Sequence, residues 1–332
     1  MKYRRIGSSG AKVSSLALGT DNILNPTPED ESIRMIHAAL DAGVTMIDTA
    51  HAYADGQAER VIGKTLAESG RRSEAFVATK VHYATGPGPN QQGNSRAHIM
   101  EACEAALRRL QTDYIDLYAT HRPDFNTPLE ETLGALTDLV RQGKVRYIGS
   151  STSPAWHTLE SVKTSEAKGL ERFVSEQPPY NILDRRIENE IVPMALAHGL
   201  GLFPWSPMAM GVLAGRYADE NIRPDDSRAA RRGGIYAERV SEKAVHYGNQ
   251  FVHMMREGGY DAAQMAVCWV KDQPGVTAPL LGPKTVQQLE HLLPVADMTL
   301  PDDVAAEVDL IVAPGSAVAN FHNSATWMKM QL

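Results

Sequence analysis

The sequence has few of the features that define several large classes of proteins. Its 332 residues include only two cysteines, Cys103 and Cys268, which argues against a disulfide-stabilised secreted framework. No stretch approaches about 18 consecutive apolar residues, so there is no candidate membrane span, and no apolar signal core follows the N-terminal residues. The formal net charge is −7, whereas proteins that bind nucleic acids typically have an excess of basic residues. We expect a cytoplasmic protein with reduced, buried thiols and with neither membrane nor nucleic-acid partners.

The sequence also lacks several motifs that would point to other kinds of site. There is no G-x-G-x-x-G after the first predicted strand, as an open dinucleotide-binding sheet would require. Neither H-E-x-x-H nor C-x-x-C occurs, so a metal is not the favoured use of the His and Asp residues. We therefore expect no metal site.

Short apolar runs recur along the chain with a regular period, and each is followed by a segment with helical spacing of apolar residues. Most steps between runs are about 26–41 residues, which matches one strand, one helix and two loops. The downstream ends of the runs lie near Leu18, Asp48, Lys80, His121, Ser151, Gln177, Trp205 and Gly282. Eight such units predict a (β/α)8 barrel as one domain over residues 1–332. An open, doubly wound sheet is the alternative.

Three of the intervening segments show clear helical signals. Ser32–Ala42 and His98–Leu110 each place apolar residues on one face, as expected for helices packed on a sheet. Pro128–Arg141 begins with proline at the first helical position, and Thr127 before it is a good N-cap.

Other segments lie outside the repeat. Residues 3–13 predict an N-terminal hairpin, and Pro301–Val312 predicts an extra C-terminal helix. The step from Trp205 to Gly282 is 77 residues, too long for one unit, so we predict a long insertion after the seventh barrel strand. Its polar segment 216–236 is either a solvated loop or a lid, and we expect a lid that closes over an anionic ligand. The arginines available for this are Arg223, Arg228, Arg231 and Arg232.

Four polar residues lie at or just after the ends of predicted strands: Asp48, Tyr53, Lys80 and His121. In a barrel of parallel strands these ends face one active-site mouth. An acid, a phenol, an amine and an imidazole that meet there can form a proton-donating centre around the tyrosine. That is what a reductase requires.

The same residues carry a resemblance to a known family. Met46-Ile47-Asp48-Thr49-Ala50-His51-Ala52-Tyr53 resembles the aldo-keto reductase segment F-D-T-A-x-x-Y, with the same spacing from Asp to Tyr. The resemblance continues through three further sets, Ala78-Thr79-Lys80-Val81, Leu117 to Asp124 (L-Y-A-T-H-R-P-D) and Gln177 to Asn181, and ends with Trp205 to Ala209. It covers roughly residues 1–295 in unbroken order. The chain resembles the branch that includes bacterial aldo/keto reductases and potassium-channel β subunits.

The resemblance implies transfer of a hydride from a nicotinamide to a carbonyl, with Tyr53 as the proton donor. An unperturbed phenol has a pKa near 10, and Lys80 would lower it as a neighbouring cation. Asp48 would pair with Lys80, and His121 would bond the substrate oxygen.

The resemblance also implies a cofactor site, with NADP(H) favoured over NAD(H). Lys284 and Thr285 suit a 2′-phosphate at a helix N-terminus, and the loop after Trp205 would wrap the pyrophosphate. Ser151-Thr152 stands where the family has S-N, so the amide of that pair is missing. The implied cofactor-binding residues are Gly19, Thr20, Asp48, Ser151, Thr152, Gln177, Trp205, Ser206, Pro207, Met208, Ala209, Gly211, Leu213, Gly282, Lys284, Thr285 and Gln288.

The favoured function is an NADP(H)-dependent oxidoreductase that reduces an aldehyde or ketone. Two alternatives stay open: a nicotinamide-sensing regulatory subunit with little turnover, and a barrel isomerase or hydrolase that needs no nicotinamide. The presence of all four catalytic residue types favours the enzyme. Polar residues near the mouth, such as Asp21, Asn22 and Arg122, favour small polar or sugar-like carbonyls. The sequence does not indicate an oligomeric state.

Overall fold

In the described part of the chain, eight parallel strands follow an N-terminal hairpin. The computed structural model describes residues 1–217, 224–325 and 327. The hairpin consists of β1 (Tyr3–Arg5) and β2 (Lys12–Ser14). The parallel strands are β3 (Ala17–Gly19), β4 (Met46–Asp48), β5 (Phe76–Val81), β6 (Ile115–Thr120), β7 (Val145–Ser151), β8 (Phe173–Gln177), β9 (Gly201–Leu202) and β10 (Leu280–Leu281).

The parallel strands curl into a closed barrel. Their order in the sheet is β10-β3-β4-β5-β6-β7-β8-β9. The amide of Leu280 in β10 donates to the carbonyl of Pro204, just after β9, at 2.8 Å, and this bond joins the two outer strands. The predicted (β/α)8 barrel is confirmed.

The register of the strands brings their downstream ends to one mouth. Gly19 lies opposite Asp48 in the β3–β4 pair, and Ser151 lies opposite Gln177 in the β7–β8 pair. Because all eight strands run in the same direction, the loops that follow them meet at this mouth. Residues far apart in sequence can therefore share one site.

The N-terminal hairpin closes the opposite end of the barrel. Ile6 and Val13 are fully buried and pack with Met46 and Phe203, which fill the barrel interior. Gly7 has a φ of +53°, and a Cβ there would lie 2.2 Å from the carbonyl oxygen of Gly199. Only glycine allows this approach. The predicted hairpin is confirmed.

The helices surround the barrel and bury their apolar faces against it. In chain order they are α1 (Glu29–Asp41), α2 (Gln57–Glu68), α3 (Arg96–Leu110), α4 (Leu129–Arg141), α5 (Ala155–Lys168), α6 (Ile191–His198), α7 (Arg228–Arg232), α8 (Gly234–Glu238), α9 (Glu242–Glu257), α10 (Ala262–Lys271), α11 (Val286–Leu292) and α12 (Asp302–Ile311). The predicted helices correspond to α1, α3, α4 and α12, with ends that differ by a few residues. The long insertion after the seventh barrel strand, β9, is present as predicted, and it contains four helices, α7 to α10, that the sequence analysis did not predict.

The predicted start of α4 is wrong by one residue. Pro128, with φ −56° and ψ 134°, is the N-cap, and the helix begins at Leu129. The hydroxyl of Thr127 does not cap the helix but donates to Asp124 Oδ2 at 2.8 Å. Thr127 thus holds the preceding loop.

Both thiols are free and buried, as predicted. Cys103 lies in α3 and Cys268 in α10, and burial raises the pKa of these thiols to about 12 and about 11. They are therefore protonated and unreactive at neutral pH. Among the described residues, no helix is both long and apolar enough to span a membrane.

Two helix glycines offer a test of the packing between α2 and α3. A Cβ at Gly63 would lie 2.5 Å from the carbonyl carbon of Leu110, whereas a Cβ at Gly134 would meet nothing within 4 Å. We expect Gly63→Ala to lower the free energy of unfolding by about 1–3 kcal/mol through overpacking. Gly134→Ala should raise it by about 0.5–1 kcal/mol, because alanine loses less backbone entropy on folding. Urea denaturation of the two variants measures both effects, and a stabilised Gly63→Ala would contradict the close approach.

Candidate active site

A cavity of about 990 Å³ opens at the mouth of the barrel. Its volume lies at the upper end of the range for small-molecule and cofactor sites, about 300–1,000 Å³. The residues predicted from the sequence that line it are Gly19, Thr20, Asp48, Tyr53, His121, Ser151, Gln177, Trp205, Ser206, Pro207, Met208, Gly211, Gly282, Lys284 and Gln288. The structure therefore brings most of the predicted site together around one space.

Asp48 and Lys80 form a buried ion pair at the floor of this cavity. Each residue is 1% exposed, and Lys80 Nζ lies 2.6 Å from Asp48 Oδ2. Nζ also donates to the carbonyl of Thr49 at 2.8 Å, and Asp48 Oδ1 accepts from Gln177 Nε2 at 2.8 Å. Burial lowers the pKa of Lys80, while the carboxylate of Asp48 acts in the opposite direction. The structure thus pairs Asp48 with Lys80 as the sequence predicted.

Tyr53 is held by a turn with unusual backbone geometry. The three residues after it, Ala54, Asp55 and Gly56, have positive φ angles of 48°, 53° and 81°. Such angles cost a non-glycine residue about 1–3 kcal/mol and persist only where the surroundings enforce them. A Cβ at Gly56 would lie 2.9 Å from Arg109 Cδ in α3, so the turn fits tightly against that helix. The turn fixes the phenol above the ion pair.

The pKa of Tyr53 differs from the prediction. The sequence predicted that Lys80 lowers it, but burial raises the pKa of Tyr53 well above its usual value of 10.0, and the carboxylates of Asp48 and Asp21 raise it further. Lys80 Nζ lies 5.2 Å from the centre of the Tyr53 ring, but its charge is balanced by Asp48. The predicted direction is therefore wrong, and the phenol is protonated at neutral pH.

His121 lies beside Tyr53 as a neutral imidazole. Its ring centre is 5.8 Å from that of Tyr53, with the planes at 82°, and 4.9 Å from that of Tyr83. Burial lowers the pKa of His121 well below its usual value, and the cationic neighbours Arg122 and Lys80 lower it further. Its Nδ1 is buried and has no hydrogen-bond partner among the described residues. A neutral ring at this position can bond an uncharged oxygen in the cavity.

Two other histidines near the mouth hold the loops in place. His51 Nδ1 bonds the carbonyl of Lys80 at 2.7 Å, and its Nε2 bonds the carbonyl of Tyr83 at 2.9 Å. His82 Nδ1 bonds Asn94 Oδ1 at 3.0 Å. Neither of these two rings lines the cavity, whereas His121 and His291 do.

Ser151 lines the cavity, whereas Thr152 does not. Ser151 Oγ donates to the carbonyl of Gln177 at 3.0 Å. Thr152 has a positive φ of 53° and is 1% exposed, and its hydroxyl oxygen accepts from Arg122 Nη1 at 3.2 Å. The left-handed backbone turns Thr152 toward Arg122, so its side chain lies outside the cavity lining, and its contact with a cofactor stays a prediction.

Trp205 presents its indole to the cavity. The guanidinium carbon of Arg239 lies 5.0 Å from its ring centre, and Phe321 packs against it at 6.5 Å. The amide of Trp205 donates to the carbonyl of Pro178 at 3.0 Å, which fixes the start of the loop. The ring is half-buried, so part of its surface is available for a planar ligand group.

In the loop after Trp205, some of the backbone amides predicted to bind a phosphate instead donate to carbonyls within the loop. Ser206, Ala209, Met210 and Gly211 all have positive φ. The amides of Ala209 and Gly211 donate to the carbonyls of Ser206 and Met208 at 2.9 Å each, and the amide of Leu213 donates to Met208 at 3.3 Å. The Ala209 and Leu213 side chains are fully buried. These two predicted positions therefore pack the loop and do not line the cavity.

The opposite part of the cavity contains a group of positive charges. Lys284 Nζ donates to the carbonyl of Asp226 at 3.0 Å, and Arg216 Nη2 lies 2.7 Å from the Asp226 carboxylate. Thr285 Oγ1 accepts from the amide of Gln288 and caps α11, so it lies outside the lining. The amide of Val286, at the start of α11, donates to Glu31 Oε1 at 2.7 Å. That carboxylate occupies part of the helix end predicted to bind a phosphate.

The sequence missed several residues that line the cavity: Arg216, Tyr236, Arg239 and Ser324. Three of them lie in the insertion and one in the segment after α12. Neither segment has the strand–helix period that located the other sites. Arg216 carried one usable signal, since it is a cation directly after the predicted loop.

The predicted lid can be assessed only in part. Residues 218–223, including Arg223, lie outside the described residues. Arg228 and Arg232 in α7 pair with Asp21 at 3.1 and 3.4 Å, and Arg231 bonds Asn25 Oδ1 at 3.3 Å. These contacts place α7 over the loop that follows β3. A closing motion stays a prediction.

The arrangement is suited to proton transfer to an oxygen. A protonated phenol and a neutral imidazole face one cavity above a balanced ion pair, which is typical of general acid catalysis. Within residues 1–217 and 224–325, no group of three His, Cys, Asp or Glu side chains is placed to hold a metal.

Comparison with known proteins agrees with this chemistry. A family model described as Aldo/keto reductase family matches residues 15–313. The uncharacterized oxidoreductase YrpG of Bacillus subtilis is 36% identical over 95% of this chain and 97% of its own length. A probable voltage-gated potassium channel subunit beta of Oryza sativa is 34% identical over 94% of this chain and 97% of its own length. The aldo-keto reductase YhdN of Bacillus subtilis is 32% identical over 94% of each chain.

The buried ion pair can be tested by removing one charge or both. Asp48→Asn leaves the Lys80 ammonium without its counter-charge, and we expect it to lower the free energy of unfolding by about 3–5 kcal/mol. The double variant Asp48→Asn/Lys80→Met removes both charges and should recover at least half of that loss. Urea denaturation at pH 7 gives the comparison. As a control, Glu166→Gln removes one charge from the exposed pair Lys163–Glu166 and should change stability little. If the double variant were as unstable as Asp48→Asn, the loss of stability would not come from an unpaired Lys80 charge.

Proposed function

The chain belongs to the aldo/keto reductase family, and on that premise we propose that it is an NADP(H)-dependent oxidoreductase that reduces an aldehyde or ketone to the alcohol. Tyr53 is the proton donor in this proposal, and Asp48, Lys80 and His121 complete the catalytic centre. The observation that carries the proposal is that Tyr53 and His121 face one cavity directly above the Asp48–Lys80 pair.

The residues around the cavity fit a nicotinamide cofactor. Trp205 offers a half-buried aromatic face, Ser151 and Gln177 offer polar groups at the floor, and Lys284 offers a cation at the other end. Gly282 leaves the wall open, since a Cβ there would meet only Asn22 Nδ2, at 3.7 Å. When bound, the reduced nicotinamide would supply the hydride that the carbonyl carbon gains.

Tyr53 supplies the proton. Because burial keeps its pKa high, the phenol holds its proton at neutral pH and can donate it from Oη to the carbonyl oxygen of the substrate. Negative charge then develops on the phenol oxygen. The ammonium of Lys80, with Nζ 5.2 Å from the ring centre, offsets the repulsion that this charge meets from the carboxylate of Asp48.

His121 orients the substrate. Its pKa is low, so the ring is neutral and adds no charge beside the phenol. A neutral imidazole N–H can donate to the carbonyl oxygen and hold it near Tyr53. Arg122, the next residue, donates from Nη1 to the carbonyl of His121 at 2.6 Å and fixes the backbone of this position.

The preference for NADP(H) rests on positive charge far from the tyrosine. Lys284 and Arg216 share the carboxylate of Asp226, so two cations meet one acid in this group of described residues. A 2′-phosphate would supply the missing negative charge, whereas NAD(H) would not. A cytoplasmic location, a polar or sugar-like substrate and the lack of nucleic-acid partners stay predictions from the sequence.

A second candidate is a regulatory subunit that binds nicotinamide with little turnover. The similarity to a probable potassium channel subunit beta favours it, whereas the position of Tyr53 and His121 beside the Asp48–Lys80 pair supports turnover. Turnover decides between the two, because a sensor would bind NADPH without sustained oxidation. The absorbance change at 340 nm with a panel of aldehydes and ketones measures it. A panel without turnover, together with tight NADPH binding, would support the sensor.

Tyr53→Phe tests the proton donor. The substitution removes one hydroxyl and keeps the ring that packs near His121, so NADPH affinity should change little. We expect carbonyl reduction to fall by about 10²–10⁴-fold, as for loss of a general acid. Steady-state kinetics and NADPH fluorescence titration give the two quantities. Retention of more than about a tenth of the activity would remove Tyr53 from this role.

Lys284→Ala tests the cofactor preference. Loss of a charge-assisted contact should weaken NADPH binding by about 1–3 kcal/mol, and NADH binding should stay nearly constant. Lys163→Ala, at an exposed ion pair in α5, is the matched control and should affect neither cofactor. Fluorescence titration of both cofactors is the measurement. Equal losses for NADPH and NADH would place Lys284 away from the 2′-phosphate.

A further inference from the structure

Two arginines lie at the end of the cavity that contains the catalytic side chains. Arg122 follows His121 in the chain and bonds its carbonyl. Arg239 follows α8 in the insertion, and its guanidinium carbon lies 5.0 Å from the ring centre of Trp205. Both donate to the hydroxyl of Ser324, from Nη2 of Arg122 at 3.4 Å and from Nη2 of Arg239 at 3.1 Å. The two guanidinium groups are thus neighbours across one serine.

Arg239 is buried among uncharged partners. It is 5% exposed, and besides Ser324 it donates from Nε to Asn323 Oδ1 at 2.9 Å. Its other close neighbours are aromatic rings, those of Trp205, Tyr236 and Phe321. No carboxylate in the described ranges pairs with Arg239. Burial lowers its pKa to about 10, and Arg122 and Arg228 lower it too, so the charge is present at neutral pH but poorly compensated.

Arg122 also forms no ion pair among the residues that the structure describes. Its partners are the carbonyl of His121 and the hydroxyls of Thr152 and Ser324. Its Nε is buried and makes no hydrogen bond with them. Arg122 is half-buried, and a buried donor nitrogen left without a partner is costly.

The carboxylates near the cavity are used elsewhere or exposed. Asp21 is shared by Arg228 and Arg232, and Asp48 is paired with Lys80. Asp55, on the same wall, is exposed to solvent. Burial raises the pKa of the Glu176 carboxyl to about 7 and nearby Arg122 lowers it, but this carboxylate accepts from the hydroxyl of Ser150 and the amide of Ser153. The catalytic end therefore contains two arginines that form no ion pair with a described residue.

We propose that the carbonyl substrate carries an oxyanion group, a carboxylate or a phosphate, which Arg239 and Arg122 bind while the carbonyl lies at Tyr53 and His121. This inference rests on the proposed function and narrows its substrate class. Guanidinium groups present planar sets of donors that match carboxylate and phosphate oxygens. The anion takes no part in the reaction: the carbonyl carbon gains a hydride from the reduced nicotinamide, which is oxidised, and the oxygen gains the Tyr53 proton.

Matched substrate pairs test the inference. The carboxylate arm compares 4-carboxybenzaldehyde with methyl 4-formylbenzoate, which keeps the ring and aldehyde but removes the charge. The phosphate arm compares glyceraldehyde 3-phosphate with glyceraldehyde. With NADPH as reductant, we expect kcat/KM for the charged member of at least one pair to exceed that of the neutral member about tenfold or more, as for a charge-assisted contact in a buried site. The arm with the larger ratio identifies the anion.

Variants of Arg239 then locate the effect. Arg239→Gln should bring the charged-to-neutral ratio to about one, mainly through KM of the charged substrate, and Arg239→Lys should retain part of it. The control is Arg146→Gln, which removes one positive charge at the start of β7, at the opposite end of the barrel. It should leave the ratio unchanged. NADPH titration of each variant shows whether the substitution also changes cofactor affinity, since Arg239 contacts Trp205.

The outcomes separate this inference from the proposed function. Turnover of the neutral members at rates equal to the charged ones would overturn the oxyanion site and leave the reductase proposal standing. A ratio that persists in Arg239→Gln would also overturn it. If Arg239→Gln weakens NADPH binding and affects both members of a pair equally, Arg239 belongs to the cofactor site. No turnover of any member, or of the wider carbonyl panel, would count against the proposed function itself.

Discussion

The ion pair between Asp48 and Lys80 is the contact on which the rest of the site depends. Taking two such charges out of water costs several kcal/mol per ion, and good geometry with further hydrogen bonds is needed to offset that cost. Here the further bonds come from Thr49 and Gln177. The pair therefore links the ends of β4 and β5 with that of β8. It gives the cavity a rigid floor whose net charge is zero.

Above this floor, backbone conformation decides where the reactive groups stand. The turn after Tyr53 and the loop after Trp205 both contain consecutive residues with positive φ, including Ala54, Asp55, Ala209 and Met210. Left-handed backbone at non-glycine residues is unfavourable, and it survives at functional sites because the surrounding fold enforces it. The barrel thus offsets the conformational cost of these two segments, which fix the positions of the phenol and the indole.

The sequence pattern was sufficient to predict the barrel and its catalytic end for a local reason, whereas the rest of the cavity wall followed from the resemblance to the family. Apolar runs locate strands, and in a parallel barrel the residue after each run faces the mouth, so Asp48, Lys80 and His121 could be placed together before any coordinates. The pKa of Tyr53 could not be predicted, because it depends on burial and on how closely Asp48 neutralises Lys80. Both depend on tertiary contacts, which the sequence alone does not give. Motif matching also gave no information on which loop amides are already bonded, or that Thr152 turns away.

The segment after α12 has a consequence for the order in which the protein becomes competent. Ser324 bonds both arginines at the catalytic end, and Asn323 holds Arg239 and the carbonyl of Ile235. A domain generally folds as a unit, so the wall that selects among ligands is complete only after this late segment has been made. A chain cut before Asn323 would still contain Tyr53 and its ion-pair residues but would lack the side chains that hold the two arginines.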